Sequence, residues 1–154
     1  ERRLMLREDP SGVILRVAIG FVLFVAIIIS MTMCGNASSA KFKQYYVQGE
    51  KLYHQHCSNC HQKDGTGLGR VYPPLNTSDF MNNNFDEVVC LIRHGISGEL
   101  IVNGKQFNKP MTGVSTLSDL EIAEITTYIY NTWSNKKGLV EVREVSALLE
   151  KCDQ

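Results

Sequence analysis

The sequence predicts a mainly α-helical protein, in which one membrane-spanning helix precedes a single small helical domain. Three observations carry this expectation. Residues 17–40 contain no charged side chain. Phe42, Tyr45, Tyr46, Gly49, Leu52 and Tyr53 then recur at intervals of three and four, the repeat of a helix face. Further on, Ser118 and Glu121 have the spacing of a capping box ahead of Leu120, Ile122, Ile125, Ile129 and Trp133, which follow at mostly helical intervals. A chain of 154 residues has room for one core and an accessory segment. Its sixteen Lys and Arg are balanced by sixteen Asp and Glu, so nothing in the charge calls for a nucleic acid partner.

The uncharged run begins Val17-Ala18-Ile19-Gly20-Phe21 and passes through Ile27-Ile28-Ile29. About 20 apolar residues cross the hydrocarbon layer as a helix, and residues 13–34 are expected to do so. Arg2, Arg3, Arg7 and Arg16 lie before the run. By the positive-inside rule they leave residues 1–12 in the cytoplasm and everything after Cys34 outside the cytoplasmic membrane. Two other readings compete, a cleaved secretory signal and a lipoprotein signal cut before Cys34 so that Cys34 takes the lipid. Met31-Thr32-Met33 lacks the small side chain that a lipoprotein peptidase prefers, and a retained single-pass span is the expectation. Residues 35–40 then form a short linker, whose six residues reach at most about 20 Å when extended. So short a tether holds the following domain, residues 41–133, near the membrane. That suits a domain docked on an integral membrane neighbour better than a wandering shuttle.

Residues 40–57 are expected as the first helix of that domain. Residues 62–84, rich in Gly, Pro and Asn, read as loop, and 85–95 as a short helix bearing Phe85, Val88, Val89 and Ile92 and closed by Gly95. Asn103-Gly104 between Leu100-Ile101-Val102 and Lys105-Gln106-Phe107 is the signal of a tight β-hairpin. The last core helix starts at Ser118. Beyond Ser134 a polar turn, Asn135-Lys136-Lys137-Gly138, opens a C-terminal extension, 134–154, in which Val142, Val145, Leu148 and Leu149 form a short amphipathic stripe. That stripe suits either its own domain or a partner helix.

The chemistry lies in Cys57-Ser58-Asn59-Cys60-His61. Two thiols three positions apart can reach the two vinyl groups of one haem, and the adjacent imidazole is then held beneath the iron. Half a zinc site, a thioredoxin-like redox pair and a structural disulfide are the other readings of such a pair. A zinc site wants a second pair of ligands, whereas Cys90 and Cys152 stand far apart in the sequence. A redox pair normally opens a helix after a strand, whereas this one closes a helix. The motif therefore points to one covalent haem c, with His61 on the metal. Asp64-Gly65-Thr66-Gly67-Leu68-Gly69 lacks the Lys-Ser/Thr ending of a phosphate loop, and its glycines are expected to let backbone approach the haem edge.

Gly49-x-x-Leu52-Tyr53-x-x-x-Cys57-x-x-Cys60-His61 resembles the opening of a class I cytochrome c, and the likeness continues over residues 41–133. Tyr72-Pro73-Pro74-Leu75 resembles the family loop whose proline carbonyl accepts the ring N–H of the proximal histidine, which assigns Pro73 and Pro74 to the cofactor site. Lys109-Pro110-Met111 resembles the loop that gives the distal methionine, so Met111 is the expected sixth ligand. Met81, His54, His56 and His94 are its rivals. Tyr128 falls where the family packs its last helix on its first, against Gly49 and Tyr53. The resemblance implies a cytochrome c fold of three main helices around the haem, here with the hairpin as a short insertion. Thr112, where a proline often follows the methionine, and the extension after Ser134 depart from the family pattern. Arg70, Lys109 and Trp133 are candidate neighbours of the haem propionates, with solvated surface as the plainer reading.

A haem c with His61 and Met111 as axial ligands has no vacant iron site, so an electron carrier is expected rather than an enzyme. The competing class is a catalytic or gas-sensing haem with Met111 off the iron. Within the carrier reading, a subunit of a respiratory complex competes with a free tethered shuttle. The resemblance extends to the mono-haem modules of quinol-oxidising complexes, haem–copper oxidases and alternative complex III. Cys90 is a small residue on an apolar helix face, and its pairing with Cys152 is open.

Overall fold

The computed structural model describes residues 10–133 and 136–152. Contacts divide the chain into two units, 1–40 and 41–154. Helix α1, Pro10–His56, supplies most of the first and opens the second. Its stretch Gly12–Ser30 has a mean hydropathy of 2.8 and is long and apolar enough to cross a membrane. Ile14, Phe21, Val22 and Leu23 all stand exposed along it. Arg2, Arg3 and Arg7, on which the expected orientation rests, lie outside the described residues, and so does the side chain of Cys34. Residues 35–40, expected as a linker, are helical. No proline occurs between Pro10 and Pro73 to stop α1, and Gly35 alone costs a helix only about 1 kcal/mol.

In the second unit, α1 is followed by α2 (Ser58–His61), α3 (Asp79–Asn83), α4 (Phe85–His94), β1 (Gly95–Ile96), β2 (Leu100–Val102), β3 (Lys105–Phe107), β4 (Met111–Thr112), α5 (Asp119–Thr132) and α6 (Val142–Cys152). Helix α5 is the centre, with every residue from Ile122 to Tyr130 buried. A helix covered all round must satisfy its polar side chains internally. Thr126 donates to the Ile122 carbonyl at 2.6 Å, and the hydroxyl of Thr127 accepts from the Val140 N–H at 3.1 Å. The capping box forms as expected: Ser118 accepts from the Glu121 N–H, and the Glu121 carboxylate accepts from the Ser118 N–H at 2.7 Å.

Helices α1 and α5 cross at Gly49. A Cβ there would overlap the Glu124 carbonyl and lie 2.9 Å from the Cβ of Tyr128, so only glycine lets the two backbones meet. Around the crossing Tyr128 packs edge-on to Tyr46, with ring centroids 5.2 Å apart, and lies 5.4 Å from Tyr53. Helix α4 ends where expected, at Gly95 with φ +75°. The hairpin is also as expected: β2 pairs antiparallel with β3, and Asn103 and Gly104 both take positive φ, as a two-residue turn of this kind requires.

Three features escaped sequence reasoning. Residues 62–84 are not all loop, because Ser78 caps the one-turn helix α3 by accepting from the Met81 N–H at 3.2 Å. Strand β1 pairs with β4, Ile96 opposite Met111, and ties the end of α4 to the methionine segment. Finally, α6 packs on its own domain, burying Val145, Leu148 and Leu149 against α4 and α5. A disulfide between Cys90 and Cys152, with Cα atoms 6.0 Å apart, fixes it there. Ser146 of α6 and Arg93 of α4 both bind the Asp119 carboxylate, each at 2.6 Å.

Candidate functional site

The site is built where α1 hands over to α2. The Cys57 N–H donates to the Tyr53 carbonyl at 2.9 Å, continuing the helix by one bond. The N–H groups of Cys60 and His61 then both bond the Cys57 carbonyl, at 3.1 and 3.0 Å. This single turn places both cysteines on one side, since residues three apart share a helix face. Both thiols are free of disulfides. Burial, with the second thiol beside it, pushes Cys57 up to about 12, so it is held as a neutral thiol. The turn is terminated at Gln62, whose φ is +64° and whose carbonyl accepts from the hydroxyl of the fully buried Tyr53 at 2.5 Å.

His61 is buried, and its Nδ1 lies 3.0 Å from the Pro73 carbonyl oxygen. A carbonyl can only accept, so the network assigns the proton to Nδ1 and leaves the lone pair on Nε2. Burial lowers the pKa of the ring despite the opposing effect of that hydrogen bond, and the neutral imidazole is the form a metal requires. The loop that brings Pro73 to His61 closes on itself. The Gly67 N–H donates to the His61 carbonyl at 3.0 Å, and the Gly65 carbonyl accepts from Leu75 and Asn76 at 2.7 and 3.0 Å. A Cβ on Gly67 would sit 2.6 Å from the Pro73 oxygen, and one on Gly65 would strike the ring of Trp133 at 2.5 Å. These glycines serve the packing of the loop on Pro73 and Trp133, a different role from the expected approach to a haem edge.

The cysteines and His61 face a cleft made of two adjoining hollows with empty volumes of about 600 and 1170 Å³, open to solvent. Cys57, His61, Pro73 and Met111 line both; Pro74 lines the first and Cys60 the second. Every residue expected at the cofactor site thus borders one cleft. The first hollow is walled by apolar side chains that the motif did not name, among them Val88, Leu91 and Val102, with Ser78 the polar exception beside His61. Their helical or strand periodicity marks them as core-facing, and only tertiary placement shows which of them face the cleft.

Among the rivals for the sixth position, Met81 is buried and lines the first hollow, and His56 lines the second. His54 and His94 line neither. Of the candidate propionate neighbours, Lys109 borders the second hollow, whereas Arg70 and Trp133 border neither. Trp133 instead packs edge-on against Tyr53, ring centroids 5.8 Å apart, and covers Gly65.

The donor set suits one haem c. Two thiols and a neutral imidazole with a free Nε2 lie on one turn, facing a cleft of apolar walls, and a second soft donor, Met111, borders the same space. Among the described residues no cluster of three or more His, Cys, Asp or Glu side chains could hold a metal ion by itself.

Comparison with known proteins agrees with this chemistry. Residues 46–129 match the family model described as cytochrome c oxidase, cbb3-type, subunit III. The chain is 29% identical over 95 residues to a cytochrome c-552 of Thermus thermophilus, an alignment that covers 59% of this chain and 72% of that protein. Against the cytochrome c-552 of a second strain of the same species, the alignment covers 64% of the relative. It is 32% identical over 123 residues to the cytochrome c subunit of a quinone alcohol dehydrogenase from Gluconacetobacter polyoxogenes, covering 77% of this chain but only 24% of the relative.

Proposed function

This chain belongs to the cytochrome c oxidase, cbb3-type, subunit III family and is a mono-haem c-type cytochrome that transfers electrons; from that premise we propose where it works and through which residues. It is a single-pass membrane protein. The apolar stretch Gly12–Ser30 is its anchor, and the domain from Lys41 onward lies on the outer face of the cytoplasmic membrane, where it passes single electrons as a subunit of a respiratory complex.

The observation that carries this reading is the hydrogen bond between Nδ1 of His61 and the Pro73 carbonyl, on the same turn as the two cysteines. It fixes the imidazole in the tautomer that presents Nε2 to the cleft. In this reading Cys57 and Cys60 hold the porphyrin as thioethers, His61 and Met111 are the axial ligands, and Pro73 and Pro74 form the wall beside His61. The haem, when bound, supplies a one-electron iron couple. The protein's share is to hold the two axial donors and to keep water out with apolar walls. With both axial positions taken by side chains, no site is left for a substrate, which favours a carrier over an enzyme.

The outer-face location is supported by the Cys90–Cys152 disulfide, a bond that persists outside the cytoplasm, and by the uncovered apolar length of α1. A complex partner is supported by the family, whose description is that of an oxidase subunit, and by the quinone alcohol dehydrogenase subunit among the relatives. Quinol-oxidising complexes, haem–copper oxidases and alternative complex III are the assemblies it would suit. Extraction of membranes in mild detergent tests this directly. The protein should migrate with a multi-subunit respiratory assembly, and a monomer under conditions that keep such complexes whole would mean a tethered shuttle instead.

A further inference from the structure

We propose that Asp79 and Asn103 form a latch that holds the β2–β3 hairpin closed over the cleft and thereby positions the segment carrying Met111; this rests on the reading of Met111 as the sixth ligand. The two residues are 24 apart in sequence and bond each other reciprocally. Oδ1 of Asp79 accepts from the Asn103 N–H at 2.7 Å, and Oδ1 of Asn103 accepts from the Asp79 N–H at 3.0 Å. The same Asp79 oxygen also accepts from the Phe80 N–H at 2.7 Å. The contact therefore ties the tip of the hairpin to the first turn of α3.

The hairpin needs such a tie. Strands β2 and β3 pair only with each other, and a lone two-stranded ribbon is marginal in water. One face of it covers the cleft: Leu100 and Val102 line the first hollow, and Leu100 and Phe107 the second. Val102 and Phe107 are almost fully buried, while Ile101 on the other face is 56% exposed. Closure thus buries apolar side chains against the space assigned to the haem, and the latch is the polar contact at the tip that keeps them there.

The link to Met111 is through the chain. Strand β3 ends at Phe107, and only Asn108, Lys109 and Pro110 separate it from Met111, which is paired on its other side with Ile96. Four residue steps span at most about 14 Å. A hairpin that lifts at its tip therefore loosens one flank of the methionine segment, while β1 still holds the other. Asp79 and Asn103 are positioning residues in this scheme, and neither borders the cleft.

The double variant Asp79→Ala/Asn103→Gly tests the latch in the haem-loaded, full-length protein. Glycine at 103 keeps the positive φ of the turn and removes only the side chain. Two measurements are made: titration of the ferric protein with imidazole, which competes with Met111 for the iron, and hydrogen exchange of the β2–β3 ladder amides. The expected result is about tenfold tighter apparent imidazole binding and about tenfold faster exchange, the scale of two exposed hydrogen bonds. Asn103→Gly alone should give about threefold in each and serves if the double variant folds poorly. Asp79→Asn retains the acceptor oxygen and should keep the parent's values. Unchanged imidazole affinity and exchange in a double variant with full haem content would overturn the latch. So would an Asp79→Asn protein as loose as Asp79→Ala. If the parent lacks the far-red absorption of iron–sulfur ligation, the Met111 reading fails, while the exchange rates still decide whether the latch holds the hairpin.

Discussion

Met111→Ala should lower the reduction potential by on the order of a hundred millivolts, within the roughly 0.8 V that axial ligands span, and should let the ferrous protein bind carbon monoxide. A thioether on iron favours the reduced state and fills the sixth position; alanine does neither. The fold should survive, because the backbone here is held independently of the side chain. Met111 pairs with Ile96 across β1 and β4, and the Val114 N–H donates to the Ile92 carbonyl at 2.9 Å. The close approach of Gly95 and Gly113, where a Cβ on Gly113 would lie 2.5 Å from the Gly95 nitrogen, locks the same junction. Potentiometric titration and a carbon monoxide difference spectrum check this. An unchanged potential with no carbon monoxide adduct would move the sixth ligand elsewhere, and Met81, buried on the first hollow, would then be the residue to replace.

Gly49→Ala separates helix propensity from packing, because the two have opposite signs. In an isolated helix interior, alanine is better than glycine by about 1 kcal/mol. At this crossing the added methyl overlaps the Glu124 carbonyl and presses on Tyr128, and a backbone on a buried helix cannot step aside as a flexible side chain would. Overpacking of this kind costs about 3 kcal/mol or more, so contact wins over propensity. Against a total stability on the order of 5–15 kcal/mol, that corresponds to a fall in melting temperature of roughly 10–20 °C. Thermal unfolding of the haem-loaded protein measures it, and an alanine variant as stable as the parent would mean that α1 and α5 do not meet at Gly49.

What was legible in the sequence was what depends on residues close together along the chain. The Ser118–Glu121 capping box, the Gly95 helix end and the Asn103-Gly104 turn are each set by a few neighbouring positions, and each forms. The candidate site was legible for a related reason: Cys57-Ser58-Asn59-Cys60-His61 states its own geometry within one helical turn. What was missed depends on long-range placement. The helix α3 is five residues long and rich in Asn, too short to show a period. The β1–β4 pair has two residues a side. The seating of α6, the Cys90–Cys152 bond and the stacking of Trp133 on Gly65 and Tyr53 all join parts of the chain far apart in sequence. The linker at 35–40 was misread because small polar residues beside a glycine resemble a tether, whereas without a proline they simply extend the helix.

The most direct measurement is the mass of the intact polypeptide after acid–organic extraction. One haem's mass in addition to the chain's, with the colour staying on the protein, is the expected result, because thioethers to Cys57 and Cys60 survive a treatment that strips a haem held only by His61 and Met111. A polypeptide at its bare mass, with the pigment in the organic phase, would contradict it.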